Sequence, residues 1–225
     1  MSAGSNADRR AALQAERAAA LSTLLEELLP LSGDERVLDV GAGTGALAFA
    51  LAPRAREVVA VERDEELAAR LRTDAPANVE VIIGDGERLE LEPFSFDVAA
   101  CLRVLHHTPR PELLVAQLAR VTKPGGTILV ADQLAPVDPL AAFELNRFER
   151  ARDPSTTRVL ADGDLRALFD ANDLVLRRER VTREPRELEA YLDLAGCEGL
   201  ERERARNLVP KGYEAITGWY VLARS

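Results

Sequence analysis

The chain is poor in the residues that build disulfide frameworks and metal clusters: its 225 residues include two cysteines and two histidines. Cys101 and Cys197 lie too far apart for a zinc-ligand spacing, and two thiols cannot staple a scaffold. Structural metal is therefore not expected, and a reducing compartment suits the chain. Long apolar runs are missing too. No stretch approaches the roughly 18 residues that a membrane-spanning helix needs. Met1 to Arg17 lacks the continuous apolar segment of a secretory signal, so a cytoplasmic protein without a membrane span is expected. Positive charge is in deficit, with 29 lysines and arginines against 38 acids and a formal net charge of −9. Such a surface repels a phosphate backbone, and the arginines are interleaved with acids, as in Arg177-Arg178-Glu179-Arg180. Nucleic acid is not the expected partner.

What is present fits one globular domain spanning residues 1–225, with 47% hydrophobic and 30% charged residues. Residues 36–45, Arg-Val-Leu-Asp-Val-Gly-Ala-Gly-Thr-Gly, carry the most information. A short β-like run ends in Gly41, Gly43 and Gly45, and then Ala46–Leu51 reads as a helix. A strand, a glycine turn and a helix make a nucleotide pocket, because the turn lets a ligand approach the backbone. Further β-like segments follow at Glu57–Val61, Val79–Ile83, Phe96–Leu102 and Thr127–Asp132. Helix-like crossovers lie between them at Glu65–Arg72 and Pro111–Val121, a rhythm that predicts a doubly wound, Rossmann-like α/β sheet.

Around this centre, Asp8–Leu29 reads as a covering helix, with leucines close to one face. After Asp132 the rhythm loosens. Leu140–Arg150, Gly163–Asn172 and Leu188–Leu208 have helical composition, whereas Leu174–Val181 and Ile216–Ala223 read as strands. The segments 133–158 and 183–213 are expected to be helical cap elements over a second substrate. Lys123-Pro124-Gly125-Gly126 is expected to be a turn feeding a strand, without ligand contact.

The turn alone leaves two ligand classes open, since Gly41-x-Gly43-x-x-Ala46 also satisfies the relaxed dinucleotide fingerprint. Glu62, about 20 positions beyond the turn, is placed to hold a ribose diol in either class. Taken one at a time, Asp39 as a satisfied strand acid and Asp85-Gly86 as a plain turn are equally good readings.

The combination resolves the choice. Val37-Leu38-Asp39-Val40-Gly41-Ala42-Gly43-Thr44-Gly45, Val61-Glu62, Gly84-Asp85-Gly86, Phe96-Asp97-Val98, Leu105-His106-His107 and Arg120-Val121-Thr122-Lys123-Pro124-Gly125-Gly126 resemble, in that order, the class I S-adenosylmethionine-dependent methyltransferases. The likeness is to the small-molecule group that includes the ubiquinone and menaquinone biosynthesis enzymes. It covers Arg36 to Asp132, and more loosely Arg152-Asp153-Pro154-Ser155. It implies a mostly parallel seven-stranded sheet whose last strand runs antiparallel.

The resemblance also implies roles. Asp39 would help hold the methionine part of S-adenosylmethionine, and Gly41, Ala42, Gly43 and Gly45 would approach its methionyl and ribose parts. Glu62, beside Arg63, would take the ribose hydroxyls, Asp85 with Gly86 the adenine amino group, and Cys101 would pack near the cofactor mouth. Three carboxylates toward an ammonium, a diol and an amine is a sensible donor–acceptor match. The implied reaction is in-line transfer of a methyl group to a small organic acceptor, in which alignment and exclusion of water do most of the catalysis. His106 and His107, the only histidines, are the candidate general bases. The competing readings are an NAD(P)-dependent oxidoreductase, for which no hydride-transfer motif is visible, and a non-catalytic module that binds the cofactor. The acceptor's identity and the oligomeric state have no sequence signal.

Overall fold

The computed structural model describes residues 18–224. Seven strands form one sheet: β1 (Arg36–Val40), β2 (Glu57–Glu62), β3 (Val79–Ile83), β4 (Phe96–Leu102), β5 (Thr122–Gln133), β6 (Leu174–Pro185) and β7 (Glu214–Arg224). Their order is β3-β2-β1-β4-β5-β7-β6. Strands β1 to β5 pair in parallel, whereas β7 runs antiparallel to both β5 and β6. The doubly wound, mostly parallel fold read from the sequence, with its antiparallel last strand, is the fold of the chain.

The central strands are apolar because helices cover both of their faces. Adjacent residues of β1 point to opposite sides, so Leu38 and Val40 join one core with Val59, Val61, Leu114 and Leu118. Val37 joins the other core, with Leu47, Leu51, Val58 and Leu129. The crossovers α2 (Ala46–Leu51), α3 (Glu65–Asp74) and α4 (Pro111–Val121) link successive parallel strands. A helix over 18–28, α1, buries Leu25 and Leu28 in the second core, and Leu29 just beyond it joins them. The expected start of that helix, 8–17, lies outside the described residues.

Three further helices stand apart from this frame: α5 (Pro139–Arg152), α7 (Leu188–Leu194) and α8 (Gly199–Leu208), while α6 (Asp162–Asp170) packs on the first core. α5, α7 and α8 share a small core of their own, built from Leu145, Phe148, Ala151, Tyr191, Leu192 and Ala205. The segments 133–158 and 183–213 thus pack on one another although a strand and a helix separate them in sequence.

One local expectation changes. Lys123-Pro124-Gly125-Gly126 is not a turn ahead of a strand but part of β5, which begins at Thr122. The register jumps from Phe96↔Thr122 to Val98↔Thr127, so these residues bulge out of the ladder. A bulge accommodates a proline that has no N–H to donate. Lys123 Nζ lies 2.5 Å from Asp97 Oδ1 and fastens the bulge to β4.

Candidate cofactor and acceptor site

The strand order reverses direction between β1 and β4, and open α/β sheets bind ligands in the crevice at such a switch point. A cleft of about 410 Å³ lies there, lined by Gly41, Gly43, Glu62, Arg63, Asp85, Gly86, Arg103, Val104, His107, Asp153 and Ser155, among others. Seven of the residues singled out from the sequence therefore share one cavity. A larger hollow of about 580 Å³ sits at the other end of the sheet, between Pro30, the 123–126 bulge and Arg177, and contains none of them.

The glycine turn is held by the second strand. Glu62 Oε2 accepts from Gly43 N at 2.8 Å, and Oε1 accepts from Asp64 N at 2.9 Å. Each carboxylate oxygen keeps a further lone pair for a ligand hydroxyl. Gly43 has φ +55°, and nothing stands within 4 Å of where a Cβ would be. A side chain there would project into free space that a ligand can use. Gly45 serves packing instead: a Cβ would meet Leu71 Cδ1 at 2.4 Å and Phe49 Cζ at 2.8 Å, so it lets α2 approach α3. Ala42 is buried beside it.

Asp39 does not line the cleft. It is 1% exposed, and its Oδ2 has no hydrogen-bond partner among the described residues. Burial pushes its carboxyl up to about 7, opposed by the Ala48 N–H and assisted by the negative charge of Glu62. An acid kept in such a place is an acceptor lacking its donor. Asp85 is exposed, and its Oδ1 accepts from Glu87 N at 2.9 Å, which closes a tight turn and leaves Oδ2 for the cleft. Cys101 is fully buried in the first core, where desolvation and the nearby Asp132 and Asp39 raise its thiol pKa well above the ordinary value. It packs behind the cleft wall and not at its mouth.

The two histidines, on a 3-10 turn at Leu105–His107, have unlike surroundings. His106 is 5% exposed, and its Nδ1 is hydrogen-bonded to Asp132 Oδ1. Burial pushes the imidazole down, but the Asp132 carboxylate outweighs it, and the net shift is upward. Asp132 also accepts from Leu105 N at 2.7 Å and Gln133 N at 2.7 Å, so it anchors the whole turn.

His107 faces the cleft, and its Nδ1 lies 2.9 Å from Ser155 Oγ. That hydroxyl has one proton, which it donates to Asp153 Oδ1 at 2.6 Å. Its oxygen must then accept from Nδ1–H, which leaves the lone pair of His107 on Nε2. Burial and the adjacent charge of His106, with ring centroids 4.0 Å apart, lower the His107 pKa. The segment after α5 is pinned to this turn, since the His106 carbonyl accepts from Thr157 N at 2.8 Å and Thr157 Oγ1 at 2.9 Å.

Sequence reasoning assigned no role to Asp132, Asp153 or Ser155, and it weighed Arg103 as a partner for an anionic acceptor against a plain strand-end arginine. Asp132 carried the same signal as Asp39, an acid at the C-terminal end of a parallel strand. Ser155 and Asp153 carried none beyond a turn-prone composition.

Fold and cleft together define a class: a Rossmann-like sheet with a cleft at its switch point, the architecture of class I methyltransferases. Residues 38–130 match the family model described as a methyltransferase domain. The chain is 34% identical over 145 residues to the uncharacterized methyltransferase YcgJ of Bacillus subtilis (strain 168), covering 63% of this chain and 57% of that protein. It is 40% identical over 111 residues to the ubiquinone biosynthesis O-methyltransferase of Xylella fastidiosa (strain 9a5c), covering 48% of this chain and 45% of that protein. The chain thus spans about half the length of the curated relatives it matches. The crystal structure of YcgJ superposes with TM-score 0.82 at 23% identity, covering 90% of this chain and 96% of that one. The (4+2) cyclase SpnF superposes with TM-score 0.74 at 18% identity, covering 91% and 80%. These two likenesses establish the fold.

Proposed function

We propose that the chain is an S-adenosylmethionine-dependent methyltransferase acting on a small organic acceptor that loses a proton on methylation. The observation that carries this reading is the single cleft shared by the glycine turn, Glu62, Asp85 and His107. Two features of this chain fit such a ligand: the open space above Gly43 and the orphaned Oδ2 of Asp39. Glu62 would take the ribose diol, Asp85 with Gly86 the adenine amino edge, and Asp39 the positively charged amino-acid part. Bound there, the cofactor supplies an electrophilic methyl group on a sulfonium sulfur.

The remaining work falls to the chain. His107 Nε2 takes the acceptor's proton, Ser155 and Asp153 hold the ring in the Nδ1–H tautomer, and burial together with the adjacent His106 lowers the His107 pKa. His106 is a positioning residue that carries the turn. SpnF, a (4+2) cyclase, shares this fold, which therefore hosts other reactions too, so the assignment rests on the site. Calorimetry with S-adenosylhomocysteine tests it: saturable binding at one site is expected, and absence of binding to folded protein rejects it. A titration with NADH is expected to give no saturable fluorescence change; tight NADH binding would favour the oxidoreductase reading.

A further inference from the structure

Arg103 lines the acceptor side of the cleft, and Arg186, from a distant part of the chain, lies close enough for its charge to act on Arg103. Arg103 follows β4 and lines the cleft. Its backbone is held at φ 60°, a left-handed conformation that is costly for a residue with a side chain. Its N–H donates to Ala131 O at 2.7 Å, yet its guanidinium makes no hydrogen bond or ion pair among the described residues. Arg186 lies between β6 and α7, with its guanidinium carbon 4.5 Å from the centroid of the Tyr191 ring. Its Nε is buried without a hydrogen-bond partner, and its side chain is 14% exposed.

The surrounding charges are spoken for. His106 pairs with Asp132, and Arg152 pairs with Glu149 at 2.9 Å, where the Tyr191 and Tyr213 hydroxyls also donate. Glu184 is left to face both Arg103 and Arg186, and its Oε2 lies 3.9 Å from Arg186 Nη2, beyond hydrogen-bond reach. Two guanidinium groups thus share one half-exposed carboxylate. Partial desolvation, and then the like charge of Arg186, lower the pKa of Arg103. An unmatched positive charge with an orphaned N–H donor is a site that lacks an anion.

We propose that Arg103 and Arg186 together bind a carboxylate at the acceptor end of the cleft, so that the acceptor is a small carboxylic acid. This rests on the methyltransferase reading for the word acceptor. The amino-acid part of S-adenosylmethionine also offers a carboxylate. The acceptor is favoured because Arg186 lies outside residues 38–130, the methyltransferase-domain segment that supplies the glycine turn, Glu62 and Asp85.

The test uses the full chain with ¹⁵N-labelled arginine and benzoate as the probe, with and without saturating S-adenosylhomocysteine. With S-adenosylhomocysteine bound, saturable shifts of the Arg103 and Arg186 Nε–H signals are expected. Affinity for benzoate should fall roughly tenfold or more in Arg186→Met and in Arg103→Gln, the latter at an exposed position that the fold tolerates. Arg204→Gln, exposed on α8, should change nothing. Should the benzoate shifts occur only in the free protein, and Arg186→Met weaken S-adenosylhomocysteine but not methylthioadenosine, the carboxylate is the cofactor's and the acceptor assignment is overturned. Signals that never saturate overturn the carboxylate site itself. Failure of S-adenosylhomocysteine to bind would instead remove the methyltransferase reading, while benzoate added to the free protein still tests the arginine pair.

Discussion

The two walls of the cleft are built by different means. One wall is backbone and strand ends, Gly41 to Gly43, Glu62 and Asp85, all inside the 38–130 segment and each placed by its own strand. The other is assembled from Arg103 and His107, which follow β4, and from Asp153 and Ser155, which the segment after α5 brings against His107. The first wall needs only local order plus parallel pairing. The second needs the whole tertiary structure, so small changes there should alter chemistry more than cofactor binding.

The sharpest way to separate the walls is His107→Ala. Turnover should fall about 10²–10⁴-fold, with affinity for S-adenosylhomocysteine unchanged. Steady-state rates and calorimetry on the same preparation check this, and wild-type turnover would remove His107 as the base.

His106 should answer differently, through stability. Asp132→Asn breaks a buried pair and should cost about 3–5 kcal/mol in urea unfolding. The folded pKa of His106 is raised, so the stabilisation from its charge is complete below the ordinary value of 6.5 and fades as pH rises through the folded value. The cost of Asp132→Asn should accordingly be larger at pH 6 than at pH 9.

Asp39 sets function against stability. Its folded pKa, about 7, exceeds the ordinary 3.8, so stability is lost as pH rises between those values, by up to about 4 kcal/mol. Asp39→Asn should therefore stabilise the ligand-free protein, more at pH 8 than at pH 5, while weakening S-adenosylmethionine binding. Unfolding curves at the two pH values that show no gain would contradict the burial argument.

Glu62→Ala should give the smallest effect, about 1–3 kcal/mol of cofactor affinity from lost hydrogen bonds to a charged acceptor. Wild-type affinity in calorimetry would count against the ribose assignment. A loss of turnover larger than the loss of affinity would blur the distinction between the walls.

The difference between the walls also explains what the sequence disclosed. The strands were legible because burial on both faces makes them short apolar runs, as in Glu57–Val61 and Phe96–Leu102. The carboxylates of the first wall were legible because each sits at a strand end. The 123–126 segment was misread because glycine and proline mark a bulge and a turn alike. Cys101 was assigned to the mouth because its strand ends there, whereas its side chain points into the core. Ser155 and Arg186 were silent because nothing local distinguishes a serine after a proline, or one arginine among many, until folding brings His107 and Arg103 alongside.

The separate small core of α5, α7 and α8 has a consequence for descent. Helices that are stabilised mainly against one another can drift in sequence without disturbing the sheet. What these helices present to their surroundings can thus change from one descendant to the next while the strand ends of the first wall stay as they are.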